Sequence, residues 1–533
     1  MNRNGRLMAK IGAALALIVL AEILIADGNG AVVGGFAFAW ITALLLTRRG
    51  IWNDGSARLA LVAGAGLAVV LVDDPSFLGW VLFWTAVSLA ALLPRHGFDD
   101  ALAWMRRLGW HAMSAAVAPL KDAARLSMVR QRRGPSSGGI RAIGAVVALP
   151  LVGGVVFLGL FANANPLIGQ AFAQIVLPDP WAVTWRTLFG LCVLVTIWAS
   201  LRPSRRTTRA SRIDERLIGT VFEPGVATLI LSLVTFNTIF AVENLLDIAF
   251  LWSGVGLPSG VTMADYAHRG AYSLIVTALL AAVFVLLALR PGSAAAASPL
   301  VRRLVTVWIV QNLLLVASSA LRTLDYVDAY GMTVLRLSAL AWMGLVAMGL
   351  ALIGWRLLAD RSASWLINAN AMAAATVLVT ASVVDLGAVA AAWNVRTALA
   401  KGKTGPPLDL CYMARLGPSS LVSLAKLEQH AREPRLRERL TYLRWEHQAE
   451  TADAQADWRL WTPRNTRRLA NVRGMFGTKA PRLRPAPDGR RCDGVILPPP
   501  MVEVPSAPPS APAPQTPAPA TPTPKPLTPG VQQ

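Results

Sequence analysis

"FNTIFAVENLLDIAFLWSG", residues 236–254, decides how the chain is read. It is apolar enough to cross a bilayer, yet Glu243 and Asp247 sit in its middle, one helical turn apart. At 100° per residue, Asn237, Glu243, Asn244 and Asp247 share a stripe about 120° wide, and apolar side chains cover the rest of the circumference. A mid-membrane carboxylate costs about 2.5–3.5 kcal/mol on insertion scales and seldom faces lipid, while each Leu, Ile, Phe or Val returns about 0.3–0.6 kcal/mol. The stretch is therefore expected to be a transmembrane helix whose polar stripe faces other helices.

The surrounding composition agrees. Of 533 residues, 54% are hydrophobic and only 15% charged, against about 25% charged in soluble domains. Apolar blocks of a length suited to a core about 30 Å thick recur at 9–26, 31–47, 58–72, 77–93, 142–163, 185–201, 225–252, 271–290, 304–322, 333–357 and 365–393. The fold class is thus all-α, a polytopic transmembrane helix bundle of about 11 spans. The first block has the charged and apolar regions of a signal peptide without a small-x-small cleavage site, so it is expected to stay as the first helix.

The net charge of +21 sits in short segments between spans, as membrane topology demands, so no nucleic-acid partner is expected. Alternate connections are basic: Arg3, Arg6 and Lys10; Arg48, Arg49 and Arg58; the stretch from Arg95 to Arg141; Arg202 to Arg216; Arg290, Arg302 and Arg303; Arg356 and Arg361. The opposing connections "DGNG", "DDPS" and "NPLIGQAFAQIVLPDP" hold hardly a cation. The positive-inside rule then puts the N-terminus in the cytoplasm of a bacterial inner membrane and, after an odd number of spans, the C-terminus in the periplasm.

Five regions follow. Residues 1–94 hold the first four spans, and 95–141 form a basic cytoplasmic loop able to lie as an amphipathic helix on anionic lipid. Residues 142–393 form a seven-helix core, 394–480 a helical extramembrane region suited to envelope protein partners, and 481–533 a Pro/Ala/Thr-rich tail too poor in apolar side chains to order itself. Cys192 lies within a span as packing, whereas Cys411 and Cys492 both fall in the terminal region, where a periplasmic location permits a disulfide.

No phosphate-binding loop, dinucleotide fingerprint, zinc-protease motif or serine-nucleophile elbow occurs, and the five histidines lack metal-ligand spacing, so no catalytic residue, metal or cofactor is assigned. Small-xxx-small pairs such as Gly30 and Gly34 point to helix packing. The chemistry left is a polar cluster at the outer level. It joins Asn237, Glu243, Asn244 and Asp247 to Tyr266, His268 and Arg269 of "YAHRGAY" and to Arg322, Tyr326, Tyr330 and Arg336 of "LRTLDYVDAYGMTVLR". Gln311, Asn312 and Asp385 are candidates to extend it. A cavity lined by Glu243 and Asp247 would mark transport or catalysis, and direct pairing with Arg322 or Arg336 in a closed bundle would mark helix pinning.

The segments "YAHRGAYSLIVTALLAA", "YVDAYGMTVLRLSALAWM" (with Tyr330, Gly331, Thr333 and Arg336), "AAWNVRTAL" and "LDLCYMARLGPSSLVSL" resemble the bacterial membrane family known as domain of unknown function 4173, with sister family 4153, over roughly residues 140–470. The resemblance implies a fold and a location and no catalytic roles. The function expected first is a sensor, regulatory or assembly component of the cell envelope. A secondary transporter using the polar cluster comes second, and a membrane enzyme on a lipid-linked substrate third.

Overall fold

The computed structural model describes residues 3–132, 179–203, 225–249, 298–402 and 405–498, with 150, 152–154 and 157. The spans predicted at 142–163 and 271–290 lie wholly or almost wholly outside them, as do Tyr266, His268 and Arg269. Among the described residues the chain is helical, with one isolated β-bridge between Arg490 and Ile496. It is a polytopic membrane bundle: among the described residues eight helices have the length and composition to cross a bilayer, and a shorter apolar one accompanies them.

The first bundle contains α1 (Arg3–Leu24), α2 (Val32–Thr47), α3 (Gly55–Asp73) and α4 (Phe77–His96). Side chains of Asp54 and Ser76 cap the N-termini of α3 and α4, accepting from Ala57 N (2.8 Å) and Gly79 N (3.1 Å), so each helix starts sharply after its connection. Phe36, Trp40, Trp80 and Phe83 form its aromatic centre, with ring centroids 5.5–6.3 Å apart. Gly34 faces α3 so closely that a Cβ there would collide with Val72 and with the backbone at Ala68, which is the small-residue packing expected of it.

The basic loop folds into α5 (Ala101–Ala115) and α6 (Ala118–Arg132). Rather than only resting on lipid, α5 buries Ala103, Trp104, Arg107 and His111 against the bundle, and Asn368 accepts from Ala101 N at 2.8 Å. Its apolar residues Leu102, Met105, Trp110 and Met113 stay exposed on the other side. Helix α7 (Pro180–Leu201) packs against α1 and ends in the buried run Ile197–Leu201. Cys192 is free and exposed on α7 rather than packed inside.

The second bundle contains α8 (Val226–Asp247), α9 (Pro299–Tyr330), α10 (Val334–Leu358) and α11 (Ala363–Val383). Leu233, Phe240, Val305, Trp308, Leu350 and Ile353 form its core. Asn237 donates to Leu304 O and Asn244 to Gln311 O, so both partners advance by seven residues and α8 runs parallel to α9. Parallel neighbours are what the expected single crossing between them requires.

The span predicted at 365–393 is two helices. Asp385 ends the first and caps α12 (Leu386–Lys401), accepting from Ala388 N at 3.0 Å, because a short carboxylate competes for the first free N–H groups better than it continues a helix. Asp385 therefore does not extend the polar cluster; it binds Arg468 of the C-terminal helical region.

That region is a helical cap: α13 (Leu410–Arg415), α14 (Leu421–His430), α15 (Pro434–Ala456) and α16 (Pro463–Phe476). Residues 481–498, assigned to the tail by composition, are held instead against α15. Arg490 and Arg484 bind Glu438, Arg439 binds Asp493 at 2.8 Å, and a disulfide joins Cys411 to Cys492 with Cα atoms 4.9 Å apart. Specific ion pairs and a covalent link order a segment that has few apolar side chains of its own. Residues 499–533 lie outside the described residues.

The cap sits on the ends of the spans that carry "DGNG" and "DDPS". Gly30 N and Ala31 N donate to Arg459 O and Trp461 O, both at 2.8 Å. Arg464 binds Asp73 at 3.0 Å and Asp74 at 2.6 Å, and Arg467 binds Asp73. Arg48, Arg95 and Arg202 cluster at the opposite ends of their helices.

Candidate functional site

The polar stripe of α8 divides once it is folded. Leu229, Leu233, Asn237, Phe240, Asn244 and Asp247 are buried, and Glu243 is exposed. On the helical wheel the buried residues occupy about 80° and Glu243 falls roughly 40° beyond their edge, so a neighbouring helix that covers the others misses it. Asp247 pairs with Arg322, both side chains less than 10% exposed. Asn237 and Asn244 donate to backbone carbonyls of their own helix and of α9, and Asn312 donates to Trp308 O at 2.7 Å. This is a pinned helix interface. Asn237 Oδ1, Asn244 Oδ1 and Gln311 Oε1 are buried there without a hydrogen-bond partner among the described residues.

Two turns beyond Arg322, α9 ends at Tyr330 and the chain turns through Gly331 into α10. Gly331 has φ +80°, a conformation that costs a side-chain-bearing residue about 1 kcal/mol or more. Its carbonyl accepts from Arg336, whose guanidinium also lies 4.1 Å above the Tyr326 ring, with Tyr330 4.8 Å from Tyr326. Thr333 caps α10. Met332 is clamped on both backbone groups by Asn394 of α12, whose Oδ1 accepts at 2.6 Å and whose Nδ2 donates at 2.8 Å. Val334 N donates to the Tyr412 hydroxyl of α13 at 2.8 Å.

These contacts border a partly open cavity of about 150 Å³ between the membrane helices and the cap. Tyr330, Gly331 and Arg336 line one side, Trp393 and Asn394 the second, and Asp409, Tyr412 and Arg415 the third. Neither Arg336 nor Arg415 forms an ion pair among the described residues, and the Asp409 carboxylate caps α13 by accepting from Tyr412 N at 2.9 Å. The Tyr412 hydroxyl, already accepting from Val334, keeps its proton to donate. The lining thus offers two guanidinium groups, a phenol and an aromatic wall, a set that suits a small polar or anionic molecule. Among the described residues no group of three metal-type side chains exists.

Of the cluster expected from sequence, Tyr330 and Arg336 line this cavity and Tyr326 supports Arg336. Arg322, Asp247, Asn237 and Asn244 belong to the interface below it, and Glu243 belongs to neither. Sequence reasoning missed Trp393, Asn394, Tyr412 and Arg415. Their segments stood out only as carriers of a family resemblance, with no spacing to say that they meet Tyr330 and Arg336.

Fold and site together define a polytopic helical membrane protein with a polar pocket where the C-terminal helices meet the ends of the spans. The chain belongs to the family described as Domain of unknown function (DUF4153), whose pattern matches residues 59–427. The resemblance had pointed first to the sister family 4173, and the match corrects it. The matched stretch begins in α3 and ends in α14, earlier at both ends than the range of roughly 140–470 read from sequence, and it includes all three walls of the pocket. No curated protein and no solved structure matches the chain.

Proposed function

We propose that this is a bacterial inner-membrane protein acting as a sensor or regulatory component of the cell envelope, with the Arg-rich face in the cytoplasm and the cap in the periplasm. The observation that supports it is the pocket's position: a ligand there touches the α9–α10 turn, α12 and α13 at once, so its binding energy bears on how the cap sits on the spans. The cap, with its Pro-rich extension, is the surface offered to envelope partners. The disulfide fits an oxidising compartment.

The test is deletion in the native host followed by complementation. Loss of the gene should alter envelope-stress reporters and metabolite profiles. The wild-type chain should restore them, and the double variant Arg336→Ala, Arg415→Ala should not, although it reaches the membrane at normal levels. Full rescue by that variant would remove the pocket from the function. A second reading, a secondary transporter, is favoured by the buried acceptors at Asn237, Asn244 and Gln311. Solute-dependent flux in proteoliposomes, abolished by Asn244→Leu and untouched by the pocket variant, would establish it instead.

A further inference from the structure

On the face opposite the cap, cations from four helices gather at one level. Lys10 lies in the first turns of α1, Arg48 directly follows α2, Arg95 is in the last turn of α4, and Arg202 directly follows α7. Lys10 is within electrostatic reach of the other three and, among the described residues, of one carboxylate, Asp122 of α6. That carboxylate is already engaged: Asp122 accepts from Trp198 Nε1 at 3.1 Å and pairs with Arg202 at 3.3 Å and Arg125 at 3.8 Å. Neither Lys10 nor Arg48 forms an ion pair among the described residues.

These are not the freely solvated arginines that topology alone asks for. Arg48 is half-buried and donates to Ser200 O at 3.0 Å, and Arg95 donates to Pro203 O at 2.9 Å, which fixes both guanidinium groups beside the end of α7. Burial, and then the Arg95 charge, push Arg48 down to about 10. Holding like charges together away from water is unfavourable unless an anion joins them. The exposed apolar flanks of the same helices, with Met8, Leu15 and Val19 on α1 and Phe38 and Leu46 on α2, provide a path for acyl chains at the depth where a headgroup would reach the cations.

We propose that the joined ends of α1, α2, α4 and α7 bind the phosphate of an anionic phospholipid, with Lys10 and Arg48 as its principal ligands and Arg95 and Arg202 flanking it. The bound lipid completes the charge balance of the first bundle on that face, independently of the pocket under the cap.

Native mass spectrometry of the full chain, released from nanodiscs of phosphatidylcholine doped with phosphatidylglycerol, tests this. Phosphatidylglycerol should be retained preferentially. The double variant Lys10→Gln, Arg48→Gln should weaken that preference about thirtyfold, as expected for two cations near a lipid phosphate, while Arg303→Gln, an exposed cation on the second bundle, leaves it within about twofold. Arg48→Lys separates charge from fold and should keep most of the preference. Equal retention of both lipids, an unchanged preference in the double variant, or displacement of the lipid by millimolar inorganic phosphate would each overturn the assignment, the last by making the site one for a free anion.

Discussion

Asp247 and Glu243 are four residues apart on one helix, and their environments are opposite. Replacing Asp247 by Ala removes one side of a buried ion pair with Arg322, which should cost about 3–5 kcal/mol, whereas Glu243→Gln should stay within about 0.5 kcal/mol. Reversible unfolding in mixed micelles measures both, and equal effects would mean that the two carboxylates share an environment. Asn394 makes a similar residue-scale case in the pocket wall. Its amide satisfies both backbone groups of Met332, so Asn394→Leu should cost about 1–3 kcal/mol for each group left unpaired and loosen the α9–α10 turn. Faster hydrogen exchange at Met332 than in the wild-type protein is the expected signature.

At the scale of elements, the packing of α2 on α3 depends on the missing side chain of Gly34. Gly34→Ala should destabilise the first bundle by about 1–3 kcal/mol through overpacking, with Gly35→Ala, where a Cβ meets nothing, as the neutral comparison. The junction of α15 with the terminal segment depends on charge. The hydrogen bond from Arg484, with Arg490 beside it, holds the Glu438 carboxyl down to about 2 from an ordinary value of 4.5. The unfolded segment therefore binds a proton that the folded one refuses. The stabilisation is complete above about pH 4.5 and is lost as pH falls from there through about 2. A different element responds earlier: burial pushes His111 of α5 down to about 4, so packing of α5 is strongest above about pH 6.5 and weakens as pH falls from 6.5 toward 4. Protection of α5 amides should decline in that upper window and the α15 junction in the lower one. A His111→Gln variant that kept the upper-window loss would show that another group controls it.

At the scale of the whole molecule, the cap is attached at separated points: the α1–α2 connection, the α3–α4 connection, the α9–α10 turn and the α11–α12 junction. No single contact holds it, so undocking should be cooperative. The Cys411–Cys492 bond closes a separation of 81 residues, and its reduction should lower the stability of the cap by about 2–4 kcal/mol, mostly by freeing the unfolded chain, with little effect on the spans. Thermal scans with and without reductant, read separately by a cap tryptophan and by membrane-helix protection, would show it. Alkaline phosphatase fused at the C-terminus should be active if the cap is periplasmic, and a silent fusion would invert the proposed orientation.

The membrane class and nine of the helices were legible in the chain, because insertion energetics act on local composition and need no neighbours. The break at Asp385 and the ordered segment at 481–498 were not. The first depends on a carboxylate preferring a cap, and the second on arginines and a cysteine supplied by the same region after folding. The half-buried stripe on α8 was readable as a direction but not as a width, so Glu243 and Asp247 looked equivalent until α9 covered only one of them. The pocket required most from tertiary structure. Tyr330, Asn394 and Tyr412 lie up to 82 positions apart, and only the docking of a polar cap on the ends of apolar helices brings them to one cavity. Sequence determined which segments enter lipid, and the packing of those segments decided which polar side chains stay free to bind anything.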